Sequence, residues 1–292
     1  MLRRDWRGDA AQRSDLGHPG EIDERTLAFW LRRIRPLVSL AFRPDLEGAE
    51  HLPSDRPYLI VSNHSGLGNA DVLVLTNVFV ARLDTIGAIA FMVHPISYDA
   101  WPQGPWLQRL GAIPSTRQAI RKALDAGVPV LLMPGGDHEA QRPVWQARRV
   151  DFAGRKGFLE LAREARIPIV PMGIAGSIFT APVLWRSRHL LPWLFIWPRL
   201  MGVKRAALSL LGLLGALAIF AWRPAGSLYV TALAAWLWIA SPLATLPWIP
   251  WKISVRIGRP LTPGELFGGE GDGSLDEAYR RVESSVELLV RQ

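Results

Sequence analysis

The sequence predicts an α/β domain in which a mainly parallel sheet is covered by helices, with an N-terminal amphipathic helix and an inserted hydrophobic membrane hairpin. Three observations carry this expectation. Between residues 44 and 176, short apolar runs alternate with helix-length stretches, the pattern of strand–helix–strand units. Groups able to do chemistry fall directly after those runs, where open parallel sheets place their loops. Residues 206–251 form an apolar block broken by one polar turn at 223–226.

The strands are expected at 58–61, 86–92, 128–133 and 167–173, and the helices at 70–82, 115–126 and 154–165. Ser115 stands where an N-cap would open the second helix. Upstream, residues 1–25 are polar, rich in arginine and without apolar period, and read as a loose tail. Residues 26–42 mix Leu, Phe, Trp and Ile with three arginines, which suits a helix lying in a membrane interface or packed on the domain, kinked at Pro36. Downstream, 252–258 alternates as a strand, 268–273 is a glycine-rich linker and 275–290 is a charged amphipathic helix.

The hairpin segments, 206–222 and 227–251, are near the length of membrane-spanning helices, the second interrupted by Pro242, Pro247 and Pro250. Eight of the thirteen tryptophans lie between Trp185 and Trp251, as in an interfacial aromatic belt. Arg199, Lys204 and Arg205 before the block, and Lys252 and Arg256 after it, would place both flanks on the cytoplasmic face. Whether the hairpin spans or re-enters is left open.

Composition narrows the chemistry. The chain has 292 residues, 49% of them hydrophobic, and no cysteine, which excludes disulfides, a thiolate nucleophile and cysteine-ligated metals. Its net charge of +8 comes from four lysines and thirty arginines against 26 acidic residues. With so much apolar sequence, this basicity points to a lipid surface rather than to nucleic acid.

The chemical candidates sit at strand ends. In Asn63-His64-Ser65-Gly66-Leu67-Gly68-Asn69-Ala70-Asp71, an imidazole suited to take a proton from a hydroxyl near pH 7 is followed by a carboxylate able to orient it. After the next strand but one, Pro134-Gly135-Gly136 could turn backbone N–H groups toward an anion or a developing oxyanion. Asp137-His138-Glu139 reads as a solvated turn rather than a metal cluster, since consecutive side chains diverge. Arg117 opposes the dipole of its helix and, with Arg142 and Arg155, is a candidate for anionic groups of a substrate.

Taken in order, these segments resemble the glycerolipid acyltransferase superfamily over residues 43–262, closest to its diacylglycerol- and monoacylglycerol-acyltransferase-like branch. The first block of that family looks like Asn63-His64 through Asp71, the second like 111–117, the third like Pro134-Gly135-Gly136, and the fourth like Ile167-Pro168-Ile169-Val170-Pro171. Two features differ. The family places its acid five positions after the histidine, where Asn69 stands, and Asp71 comes two later. Its third block carries a glutamate after the proline, where this chain has Gly135, and Glu139 and Arg142 are candidates to replace the missing polar groups.

The resemblance implies a glycerol-phosphate acyltransferase-like domain over 43–292, interrupted by the hairpin. It implies transfer of a fatty acyl group from acyl-CoA or acyl carrier protein to the hydroxyl of a glycerolipid or other lipid alcohol, as in glycerolipid biosynthesis. His64 would be the general base, with Asp71 or Asn69 as its partner, and Arg117, Gly135, Gly136, Glu139, Arg142 and Arg155 would meet the substrates. No metal or cofactor is implied beyond the thioester donor; the partners are a lipid acceptor and the membrane, and the location is the bacterial inner membrane, site facing the cytoplasm. A catalytically inactive lipid-binding or scaffold protein of the same fold is the alternative, and an acyl-thioester hydrolase a third.

Overall fold

The computed structural model describes residues 19–54, 57–99, 103–195, 205–222, 227–268 and 274–292. Nine strands are described: β1 (Asp45–Glu47), β2 (Leu59–Ser62), β3 (Ala90–Val93), β4 (Ala112–Pro114), β5 (Val130–Leu132), β6 (Ile169–Ala175), β7 (Val183–Ser187), β8 (Ala206–Ser209) and β9 (Ser254–Ile257). Seven form one sheet in the order β1-β9-β6-β2-β5-β3-β4, and β7 pairs with β8 in a separate ribbon. From β6 to β4 the neighbours are parallel; β9 runs antiparallel to β6 and brings β1 parallel to itself. The mainly parallel sheet is therefore present, with a reversed pair at one edge.

The helices used below are α1 (Glu24–Phe29), α2 (Arg35–Phe42), α3 (Asn69–Val80), α4 (Arg117–Asp125), α5 (Gly136–Ala140), α6 (Gly157–Ala165), α7 (Leu210–Trp222), α8 (Leu228–Ala240) and α9 (Leu275–Arg291). Alternation along β2 divides the core. Leu59 and Val61 join Ala123, Leu159 and Val286 of α4, α6 and α9, while Ile60 joins Val74 of α3 and Val38 of α2 on the opposite face. Both faces of β2 are dry, as a central parallel strand requires.

Several boundaries differ from expectation. β3 starts at Ala90 because Leu83–Ile86 closes a helical turn that ends at Gly87, with φ 72°. Thr116, not Ser115, caps α4, its hydroxyl accepting from the Ala119 N–H. Of the polar tail, residues 1–18 lie outside the described residues, but the rest is not loose. Ile22 bridges to Leu110, and the Asp23 carboxylate caps α1 through the Thr26 N–H at 2.8 Å. Between α1 and α2 a π-type turn at Trp30–Ile34 precedes Pro36, which has no N–H to give the ladder. This segment packs on the domain through Trp30, Val38 and Phe42, and leaves Phe29, Leu37 and Leu40 exposed on its other side.

The hairpin is shorter than the apolar run suggests. Ala206–Ser209 is consumed by β8, and Pro242 follows the end of α8, so α7 and α8 have 13 residues each. At 1.5 Å per residue each reaches about 20 Å, against a hydrocarbon core of about 30 Å. Among the described residues no helix is long and apolar enough to cross a membrane, which corrects the expectation of transmembrane helices. The turn at 223–226, Arg199, Lys204 and residues 269–273 of the glycine-rich linker lie outside the described residues. α7 and α8 pack on one another at Gly215, where an added Cβ would lie 2.0 Å from Trp238 Nε1. Their outer faces carry exposed Leu214, Leu217, Trp222, Tyr229, Leu233 and Leu237.

Candidate active site

The site is built at the carboxyl ends of β2, β3 and β5. β2 hands the chain to Asn63, whose buried side chain brackets Ile174 of β6, accepting from its N–H at 2.7 Å and donating to its carbonyl at 2.9 Å. His64 is next. Its Nδ1 lies 2.8 Å from Asp71 Oδ2, an oxygen that also accepts the Ser65 N–H at 2.8 Å. An ionised carboxylate only accepts, so this contact makes Nδ1 the protonated nitrogen and leaves Nε2 with a lone pair.

The longer spacing between His64 and Asp71 is absorbed by the backbone. Gly66, Leu67 and Gly68 all have left-handed φ values, of 55°, 60° and 81°, coiling the extra residues before α3 begins. Gly68 also makes room for the imidazole, because a Cβ there would stand 2.5 Å from His64 Cε1 and 2.6 Å from Nε2. Asn69 is the first residue of α3, follows Gly68 and makes no side-chain cap; its amide donates instead to the Thr245 carbonyl at 3.1 Å. Asp71 is thus the hydrogen-bonded neighbour of His64, in the first turn of α3, where the helix dipole favours an anion.

Glu139 and Arg142 lie behind His64 rather than in front of it. Both are buried, so Glu139 does not belong to the solvated turn expected for residues 137–139. Glu139 Oε2 accepts the His64 N–H at 3.0 Å, while Oε1 accepts from Arg142 Nη1 at 2.8 Å and from the Asp151 N–H at 3.3 Å. Arg142 Nη1 also donates to the His64 carbonyl at 3.1 Å. The pair therefore holds the peptide groups on both sides of the histidine. Burial pushes the Glu139 carboxyl up to about 7, against the pull of Arg142 and the two N–H groups.

The glycine turn serves the same arrangement. A Cβ on Gly135 would meet Glu139 Oε2 at 2.3 Å and its Cβ at 2.5 Å, so Glu139 fills that space. The Gly136 N–H is committed to the Met133 carbonyl at 3.1 Å, which corrects its expected use as an oxyanion donor. Arg155 Nη1 donates to the Pro134 and Gly135 carbonyls at 2.7 and 2.8 Å, and Nη2 to Asp137 Oδ1 at 3.2 Å. Arg117 pairs with Glu160 and Glu164 of α6, which accounts for its place in the first turn of α4. Asp137, His138 and Glu139 serve different partners: Arg155 and Arg205, Asp151, and the His64 loop.

His64, Arg117, Gly136, Asp137 and Arg155 line one cavity of about 1380 Å³, which runs among apolar side chains including Val72, Phe79, Phe91, Trp106, Ile120 and Phe158. Its volume exceeds the roughly 300–1,000 Å³ usual for small-molecule sites and suits long apolar chains. Leu246 and Pro247, just after the hairpin, also line it. So does His94, directly after β3, whose pKa burial pushes down despite the nearby Asp137. The sequence reading missed His94, although the rule that singled out His64, a histidine closing an apolar run, applies to it.

Comparison with known proteins adds to this geometry. The model of the acyltransferase family matches residues 43–175. Phytyl ester synthase 1, chloroplastic, of Arabidopsis thaliana is 27% identical over 191 residues, 60% of this chain and 26% of that protein. An uncharacterized protein of Mycobacterium leprae is 27% identical over 155 residues, 52% of this chain and 42% of its own length. The match thus spans well under two thirds of the length of these curated relatives. Among solved structures, the 1-acyl-sn-glycerophosphate acyltransferase PlsC of Thermotoga maritima superposes with a TM-score of 0.49 at 20% identity, over 98% of this chain and 87% of that one. The stretch matched by the family model, somewhat under half of the chain, holds His64, Asp71, Glu139, Arg142 and Arg155, so the region that carries this site is the one similar to the acyltransferase family.

Proposed function

We propose that the protein is a lipid O-acyltransferase in which His64 is the general base. The observation that carries this is the 2.8 Å contact of His64 Nδ1 with buried Asp71, on a histidine that lines a large apolar cavity. Nε2 takes the proton of an acceptor hydroxyl as its oxygen attacks the carbonyl of an acyl thioester, and the new C–O bond forms. Collapse of the tetrahedral adduct breaks the C–S bond, and the imidazolium returns its proton to the departing thiolate. Alcohol and thioester become ester and thiol, and no acyl-enzyme is needed. The donor is acyl-CoA or acyl carrier protein. The name of the plant relative, a phytyl ester synthase, is that of an ester-forming protein and supports a hydroxyl acceptor.

The protein works at a membrane surface. Exposed Leu214, Leu217, Trp222, Tyr229 and Leu233 on the hairpin, and Leu37 and Leu40 on α2, support burial in one leaflet by helices too short to span. Since the donors are cytoplasmic thioesters, the site faces the cytoplasm, on a bacterial inner membrane. The test is incubation of purified protein with labelled acyl-CoA and a panel of lipid alcohols in vesicles, with ester, thiol and free fatty acid measured. His64→Ala should abolish ester formation while folding and vesicle binding persist. Full activity of that variant would overturn the scheme, and fatty acid release without acceptor would make the protein a hydrolase.

A further inference from the structure

We propose that the segment returning from the hairpin, residues 241–251, is the lipid-facing mouth of the cavity, through which a lipid substrate passes from the leaflet to His64. This rests on the acyl-transfer reading above and adds the route by which its lipid substrate arrives.

The segment has two sides. Inward, Leu246 and Pro247 line the cavity, as do Leu67, Gly68 and Asn69, which carry the chain from His64 into α3. Outward, Leu243, Trp248 and Trp251 are 51%, 55% and 46% exposed and extend the apolar surface that ends on α8 with Leu237. Cavity wall and outer surface are here made by the same few residues.

The rest of the rim has another character. Where other lining residues are exposed they are polar or glycine, among them Gln103, Ser115, Arg117 and Arg155. An alkyl chain drawn from a bilayer across that border would meet water on the way, at a cost that grows with the apolar area bared. Across Leu243, Trp248 and Trp251 the chain stays covered and emerges beside the loop of His64. The polar border is left for the water-soluble part of the thioester donor.

The segment is also anchored so that its middle can give way. On one side the Ala244 carbonyl accepts from the Ser209 hydroxyl, and the Thr245 carbonyl from the Asn69 amide at 3.1 Å. On the other, the Ile249 N–H donates to the Thr180 carbonyl at 3.1 Å, and Trp251 packs on Phe179 with ring centroids 4.9 Å apart. Between these anchors, Pro247 has no N–H to donate. The Leu246 N–H bonds Leu243, and both Trp248 donors bond Leu246 and Leu243. Among the described residues, Leu246–Trp248 therefore make their hydrogen bonds within the segment. Displacing them breaks no bond to the domain.

The test uses two acceptors with one labelled donor, butyryl-CoA: hexadecanol carried in phosphatidylcholine vesicles, and hexanol in solution. Full-length wild type is compared with the double variant Leu243→Ser, Trp248→Ser, with vesicles in excess so that the unaltered hairpin keeps both proteins bound. The variant should lose about tenfold in kcat/KM for hexadecanol and stay within about threefold for hexanol. Equal values for both proteins, or an equal fall with both alcohols, overturns the mouth while acyl transfer stands. If wild type makes no ester from either alcohol, acyl transfer itself fails and the route with it. Should the double variant not fold, a second measurement decides. The chain has no cysteine, so Leu243→Cys takes a polarity-sensitive fluorophore at one place. Its emission should shift to the blue on phosphatidylcholine vesicles, and an unshifted spectrum in vesicle-bound protein overturns the inference.

Discussion

The Asp71 carboxylate offers a sharp test of the mechanism, because charge can be removed there with little change of shape. In Asp71→Asn the side-chain oxygen can still accept from His64 Nδ1 and the Ser65 N–H, both at 2.8 Å in the native protein. What disappears is the negative charge beside an imidazole that becomes imidazolium in the transition state. At 2.8 Å and an effective dielectric of about 20, that attraction is about 6 kcal/mol as an upper bound, part of which a neutral hydrogen bond retains. A net loss of about 3–5 kcal/mol corresponds to a fall in kcat of roughly 10²–10⁴. Stability should respond otherwise. Asp71 is fully buried and its Oδ1 has no hydrogen-bond partner, so removing the charge relieves desolvation and the fold should persist.

The assay is steady-state ester formation with saturating acyl-CoA, alongside urea unfolding of each variant. KM for the acceptor should stay within about threefold, since Asp71 touches the histidine and not the cavity. The control is Asn69→Ala, at the position where the family pattern has its acid. Asn69 bonds Thr245, so its loss should cost about 1 kcal/mol of stability and leave kcat within about threefold. Asp71→Asn within about tenfold of wild type, or a larger loss of kcat in Asn69→Ala, would refute the assignment of the dyad.

Other expectations follow from the same geometry. Gly68→Ala places a methyl 2.5 Å from the His64 ring at a φ of 81°, so kcat should fall about 100-fold with no functional group removed; unchanged turnover would mean the imidazole works from elsewhere. Glu139 has its folded pKa raised from 4.5 to about 7, so its contribution to stability is full below pH 4.5 and lost as pH rises through 7. Urea unfolding between pH 5.5 and 8 should show wild type losing about 2 kcal/mol relative to Glu139→Gln, and parallel curves would refute the shift. Trp222→Ser together with Tyr229→Ser, both strongly exposed, should weaken binding to anionic vesicles about tenfold or more while unfolding stability stays within about 0.5 kcal/mol; unaltered partitioning would remove the hairpin from the membrane.

The sheet was legible because its signals are local. Each central strand is a short apolar run closed by glycine, proline or a polar loop, and β2, β5, β6 and β9 fall within about two residues of the runs that predicted them. The errors arose where distant pairing overrode local pattern. Ala206–Ser209 runs into the apolar helix that follows without a break residue, and pairing with β7 makes it a strand. The burial of Glu139 was hidden for the same reason: an acidic, glycine-containing hexapeptide reads as a surface turn until the His64 loop is laid over it. Arg117 looked free to bind an anion because Glu160 and Glu164, its partners, are some forty residues away in the chain.

The two departures from the family pattern compensate each other in space. Lengthening the His64–Asp71 interval would carry the acid away from the imidazole on an ordinary helical path; left-handed backbone at 66–68 returns it. Such a loop is strained, since Leu67 at φ 60° costs about 1–2 kcal/mol. It therefore needs support, and Glu139 and Arg142 supply it by gripping the His64 N–H and carbonyl just before the coil begins. That grip needs the carboxylate where a side chain at 135 would stand, which only glycine permits. The glutamate absent after Pro134 and the acid displaced to Asp71 are thus parts of one solution: a more coiled loop after His64, braced from behind by a carboxylate reaching back from α5.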